Sequence, residues 1–216
     1  MTCRAVGPIC VTAPSYPCGV KHELVGTDPP VRSLFERVAG PAAAARPDLA
    51  AIGAALADLA SDVDYFASWI ARLGTHGGGL PIHAPARGPR LTLVHRREGQ
   101  MGAIHDHGAW VAISPVQGLE THRRYRLIGE AAAARPGVVE VRGLLASDFA
   151  TLLPPDDIHD HGHLAGNGSP AYVLIMTGDD QTRFRRNEWD AATGRHRILE
   201  PGDIGRFLAS EPMPDA

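Results

Sequence analysis

Gly99-Gln100-Met101-Gly102-Ala103-Ile104-His105-Asp106-His107 is the stretch on which the reading of this chain turns. Its two histidines are one residue apart in a run with strand texture, so both imidazoles project from one face, side by side. Such a pair can chelate a divalent metal ion. A third ligand must come from a non-adjacent strand, and Ile158-His159-Asp160-His161-Gly162-His163 supplies candidates, because positions 159, 161 and 163 again share a face when extended. Three neutral imidazoles leave coordination positions open for a substrate together with O2 or water. Asp106 and Asp160 alternate with these histidines and are expected to point the other way, into loops or solvent.

Outward from the pair, the chain breaks into about ten short apolar-alternating runs separated by Gly, Pro and Asp. They are Leu91 to His95, Met101 to His107, Trp110 to Val116, Glu120 to Ile128, Val138 to Arg142, Phe149 to Leu153, Ile158 to Leu164, Ala171 to Thr177, Thr182 to Trp189 and His196 to Leu199. Close spacing of this kind predicts a mainly β fold, an antiparallel sandwich or barrel. Ala131 to Pro136 reads as a loop and Ala192-Thr193-Gly194 as a hairpin turn. Upstream the period lengthens. Leu49, Ile52, Leu56, Leu59, Val63, Phe66, Ile70 and Leu73 recur at helical spacing, behind Asp48 as an N-cap and ahead of Gly74 as a stop. One long or two shorter helices packed on the barrel are expected there, with a short helix at Ser33 to Val38 ending at the Gly40-Pro41 break. The layout is an extended lead-in over 1–30, a helical segment over 31–75 and the barrel over 80–216.

The chain has 216 residues, 44% of them hydrophobic and 21% charged, which suits one globular core. A net charge of −3 argues against a nucleic-acid partner. Apolar runs fall short of the ~20 residues a membrane span needs, and the first residues lack the charged start and apolar core of an export signal. The expectation is a cytoplasmic protein, monomer or homodimer. Cys3, Cys10 and Cys18 are odd in number and fit no common zinc spacing, which agrees with a reducing setting.

Gly99, five residues, His105, one residue, His107, and then Gly118 resembles the first sequence motif of the cupins, except that Val111 stands where most of them place a glutamate ligand. Pro154-x-Asp156-x-x-His159 resembles the second motif, with Asp for Gly and His163 for Asn, and that spacing selects His159 as the third ligand. Gly99-Gln100, Ile104 to His107, Trp110, Gly118-x-Glu120 and Arg124-Tyr125 look like the bacterial 3-mercaptopropionate and cysteine dioxygenases. The similarity spans Leu91 to Asp179. It implies a cupin jelly-roll barrel preceded by a helical segment, mononuclear Fe(II) held by His105, His107 and His159, and O2-dependent conversion of a small thiol to its sulfinate.

The departures are as informative. Val173, Ile175 and Thr177 fall where thiol dioxygenases carry a Ser-x-His-x-Tyr run, and Ala112 falls where some carry a cross-linked Cys, so no Cys-Tyr cofactor is implied. His161 and His163 are candidates to border the metal, replace the lost proton handling or serve as alternative ligands. A substrate carboxylate calls for Arg: Arg87 and Arg90 lie before the histidine pair, in the region where the family places a carboxylate-binding Arg, and Arg124 follows Gly118. Gln100, Trp110 and Tyr125 are further candidates to line the substrate site. His95 is expected at the surface or behind the metal ligands, His122 facing solvent, and Arg183-x-Arg185-Arg186 on a charged exterior face opposite Glu188 and Asp190.

Overall fold

The computed structural model describes residues 28–74, 78–130, 134–190 and 195–203. The three cysteines, most of the lead-in and the Ala192-Thr193-Gly194 turn lie outside the described residues.

Among the described residues three helices precede the strands: α1 (Pro29–Ala43), α2 (Leu49–Ala60) and α3 (Val63–Leu73). The long periodic stripe is thus two helices. Asp48 accepts a hydrogen bond from the Ala51 N–H, Asp62 caps α3 through Tyr65 N–H, and Gly74 ends α3 at φ 67°. The Gly40-Pro41 break does not stop α1, which starts on Pro29 and runs to Ala43. A proline forfeits its own N–H bond, and here it sits within the last turn, where the helix ends soon after.

Among the described residues twelve strands follow: β1 (Gly78–His83), β2 (Arg90–Arg96), β3 (Gln100–Met101), β4 (Ile104–His105), β5 (Val111–Gln117), β6 (Glu120–Ile128), β7 (Arg135–Leu144), β8 (Ala150–Leu152), β9 (His159–His163), β10 (Ala171–Thr177), β11 (Arg186–Trp189) and β12 (His196–Leu199). They form two antiparallel sheets, ordered β1-β2-β10-β5-β8 and β12-β11-β4-β9-β6-β7, with β3 also paired to β9. The fold is mainly β with a helical segment ahead of it, as the sequence predicts. β1 precedes the runs visible in the sequence, and the expected Met101 to His107 strand is split by Gly102-Ala103.

Alternation in the first sheet explains both the core and the cavity. On β2, Leu91 and Leu93 join Ile52 and Leu56 of α2, Phe66 of α3 and Leu34 of α1 in one buried cluster, completed by Leu174 and Met176 of β10. Arg90, Thr92, Val94 and Arg96 of β2, with Ile175 and Thr177 of β10, face the other way and line a cavity of about 430 Å³. Among the described residues no helix is long and apolar enough to cross a membrane.

Candidate metal centre

β4 and β9 are antiparallel neighbours with His105 directly opposite His159. His107 lies past the end of β4, so a regular strand does not place it. Its N–H donates to Asp157 Oδ2 at 2.8 Å, and the tight turn behind it needs Gly108 at φ 69°, where a Cβ would strike the Phe184 side chain. The result is convergence. His107 Nε2 lies 3.0 Å from His105 Nε2 and 3.3 Å from His159 Nε2, and the ligand atoms of all three histidines fall within 4.8 Å of one another.

The two separations from His107 suit a shared ion. Two nitrogens each about 2.1 Å from a shared metal lie about 3.0 Å apart at about 90° and about 3.3 Å apart at about 104°. His105 Nδ1–H donates to the Ala103 carbonyl at 2.8 Å, so its Nε2 carries a lone pair toward the others. Burial holds the His105 imidazolium pKa down to about 4 and those of His107 and His159 well below the ordinary value, aided at the latter two by neighbouring histidines. The three rings are therefore neutral at neutral pH, the state in which imidazole nitrogens can take a divalent cation.

His122, expected at the surface, is 1% exposed and its Nε2 lies 2.8 Å from His159 Nδ1. Pairing of β6 with β9 in the register His122↔His161 turns Glu120 and His122 inward and Arg123 outward onto Asp160, whose Oδ1 accepts from Arg123 Nε at 2.8 Å. Asp160 thus points away from the histidines, as does Asp106, which accepts from the Asn187 backbone and side chain. An imidazole contact of the His122 kind fixes the ring and tautomer of a metal ligand.

His161 is buried beside the triad, its ring stacked on that of His159 at 5.2 Å. Its Nε2 is 3.1 Å from Arg96 Nη2 and its Nδ1 is 2.5 Å from Glu120 Oε1. A guanidinium can only donate, so His161 Nε2 accepts and its Nδ1–H donates to the glutamate. That lone pair is thereby committed to Arg96. His163, at the end of β9, directs Nδ1 to the Leu119 carbonyl at 2.7 Å and does not line the cavity.

The substrate-side candidates are dispersed. Arg90 lines the cavity but is paired with Asp180, and Gln100 lines it while accepting from Arg97 N–H at 3.1 Å. Arg87 is exposed outside the lining. Trp110 is 2% exposed within the cluster under the helices, because odd and even residues of this strand region face opposite sides. Arg124 reaches Glu140 and the Asp156 carbonyl, away from the cavity. Tyr125, two residues beyond Arg123, falls on the Arg123 side by plain alternation, and its hydroxyl donates to Asp160 at 3.0 Å. His95 is 1% exposed and stacks on Tyr172 at 4.7 Å, on the helix side of β2.

Arg186 also departs from the expected exterior face. Alternation leaves Arg183 on Asp179 and Arg185 on Glu200 but turns Arg186 and Glu188 into the cavity lining, with Glu188 opposite His105. Val111, at the position where the cupin motif carries a glutamate, adds an apolar wall.

Glu120 is fully buried, and burial pushes its carboxyl pKa up to about 8 against the opposing pull of Arg96. Raised above its unfolded value, it contributes stability that is complete below the unfolded pKa and is lost as pH rises toward 8. The buried histidines, with lowered pKa, act in the opposite direction and only below their unfolded value near 6.5. Urea unfolding of the metal-free protein is therefore expected to show falling stability from pH 7 to 8.5, and Glu120→Gln should flatten that slope. An unchanged slope in the variant would show that Glu120 does not hold this proton.

No family model and no curated protein matches the chain. Solved structures do resemble it. A protein with a cupin-like fold from Ralstonia eutropha is 16% identical, covering 59% of this chain and 68% of its own, at a TM-score of 0.39. A double-stranded β-helix protein from Klebsiella pneumoniae is 15% identical, covering 64% and 89%, at 0.38. A cupin superfamily protein from Desulfitobacterium hafniense is 11% identical, covering 49% and 79%, at 0.36.

Proposed function

We propose that this protein is a metal-dependent enzyme of the cupin type, a dioxygenase that adds O2 to a small carboxylate-bearing thiol. The observation that carries the metal part is the convergence of three imidazole nitrogens at 3.0 and 3.3 Å in the wall of a cavity large enough for a small substrate. His105, His107 and His159 would hold Fe(II). When bound, Fe(II) supplies adjacent positions for the thiolate and O2 and the electron path between them. The thiol and O2 are its proposed partners, in a cytoplasmic setting.

The rest falls to the chain's own residues. Ala103 and His122 orient His105 and His159 so that each keeps Nε2 toward the centre. Val111, Ile113 and Ile175 form an apolar wall that excludes water from one side, while Arg96 and Arg186 bring positive charge to the other. The overall change, thiolate plus O2 to sulfinate, forms two S–O bonds and breaks the O–O bond. Sulfur gives up the four electrons that O2 accepts, and no further reductant is needed.

One observation favours a second reading, oxidation or isomerisation of a non-thiol substrate on the same centre. Ile175 and Thr177 of β10 line the cavity where the thiol dioxygenases carry hydroxyl and imidazole groups. Oxygen uptake by anaerobically Fe(II)-loaded protein decides between them, measured with cysteine, 3-mercaptopropionate, cysteamine and mercaptosuccinate. Uptake matched by sulfinate and absent in His105→Ala is the expected result. Iron binding without uptake on any thiol would transfer the assignment to a non-thiol substrate.

A further inference from the structure

β7 ends the second sheet on one side, and among the described residues it pairs with β6 alone. It runs for ten residues, and alternate N–H and C=O groups along such an edge point away from the neighbouring strand. Its side chains are unusual for an edge. Val138, Val139 and Val141 are 52% to 61% exposed, and Leu127, in line with Tyr125 and Arg123 on β6, adds to the patch. A long apolar edge of this kind is a template for another strand.

Glu140 and Arg142 indicate which strand. Alternation puts both on the face opposite Val141. Arg142 is exposed and joins no ion pair among the described residues, while Glu140 reaches Arg124 only at 3.5 Å, with both side chains about two-fifths exposed. An antiparallel copy of the same strand with the twofold axis at Val141 places Glu140 of each chain opposite Arg142 of the other, Val141 opposite itself and Gly143 opposite Val139. Neighbouring registers lack this match. An axis at Glu140 sets two glutamates face to face, and one at Arg142 sets two arginines. An axis at Val139 falls on the residue that the register shift leaves over, since Arg124 pairs with Glu140 and Tyr125 with Val138.

We propose that two copies of this chain associate through β7, antiparallel about Val141, so that the sheet β12-β11-β4-β9-β6-β7 continues across the axis into its twofold mate. The charge match favours a second copy over a different protein, whose strand would need its own Arg and Glu at the same spacing. No residue of β6 or β7 lines the cavity, so the pairing leaves the candidate metal centre open.

Sedimentation equilibrium of the full-length protein gives the test. At about 100 µM the mass is expected to be twice the chain's 22.9 kDa. Val141→Lys, which sets two ammonium groups against each other on the axis, should weaken association about tenfold or more with an unchanged circular dichroism spectrum. Glu140→Arg and Arg142→Glu should each be monomeric, the first facing Arg with Arg and the second Glu with Glu. Mixed in equal amounts, these two variants should recover the mass of two chains, because every cross-strand charge pair is then of opposite sign. Such a rescue reads the register and cannot come from a folding defect. A wild-type protein that stays a monomer overturns the proposal, whether the edge takes the chain's own segment 1–27, a different protein or nothing. A dimer that persists in Val141→Lys uses another face and overturns it as well, and charge variants that dissociate without rescue on mixing overturn the pairing about Val141.

Discussion

His159→Ala abolishes high-affinity binding of a divalent metal, His122→Ala weakens it by about ten- to a hundredfold, and His161→Ala leaves it nearly unchanged; this graded series is the first expected result. The order follows from what each nitrogen does. His159 Nε2 is one corner of the cluster, 3.3 Å from His107 Nε2, so its loss leaves two donors and a hole. His122 contributes no donor to the centre but touches His159 Nδ1 at 2.8 Å, and an outer partner of this kind holds the ligand ring in its binding tautomer. His161 has already given its Nε2 lone pair to Arg96. Zinc titration against a competing chelator measures all three. Loss of binding in His161→Ala with retention in His159→Ala would move the third ligand to His161 and require Arg96 to swing away.

The three-histidine cluster was legible because its spacing lies in the sequence itself: His105-x-His107 and Pro154-x-Asp156-x-x-His159 bring their histidines together by local geometry plus a single pairing of strands. The residues around it were not legible, because their facing depends on registers that no local pattern specifies. Pairing of β6 with β9 turns Glu120 and His122 inward and leaves Arg123 and Tyr125 on the other side, and alternation along β11 turns Arg186 inward beside an outward Arg185. The same argument covers the arginines. Of the sequence candidates Arg87, Arg90 and Arg124, the alternation of β2 brings only Arg90 into the cavity lining and adds Arg96, which was not among them. At the level of elements, two helices from the Leu49 to Leu73 stripe and most strand positions were readable, since apolar period reports burial directly. β1, with two glycines and a proline in six residues, carries too little of that period to be seen.

Gly162→Ala is expected to cost about 3 kcal/mol of stability and to weaken metal binding as well, a large effect for a single methyl group. Gly162 lies between His161 and His163 on β9, paired with Met101 of β3. A Cβ there would stand 2.2 Å from the Gln100 carbonyl oxygen and 2.7 Å from Met101 Cα, which are backbone atoms that no rotamer change can move aside. Relief requires β3 to shift. β3 leads through Gly102, whose N–H bonds the His161 carbonyl at 3.0 Å, into Ala103, whose carbonyl holds His105 Nδ1. A displacement at Gly162 is therefore passed directly to one metal ligand. Gly143→Ala is the control, since a Cβ at that position meets only the tip of the Leu119 side chain at 3.2 Å, which can rotate away. Thermal melts and zinc titrations of both variants give the test: a loss of stability in Gly162→Ala without any loss of metal affinity would mean that β3 moves independently of His105, and equal behaviour of the two variants would mean that β3 is not seated against β9 in solution.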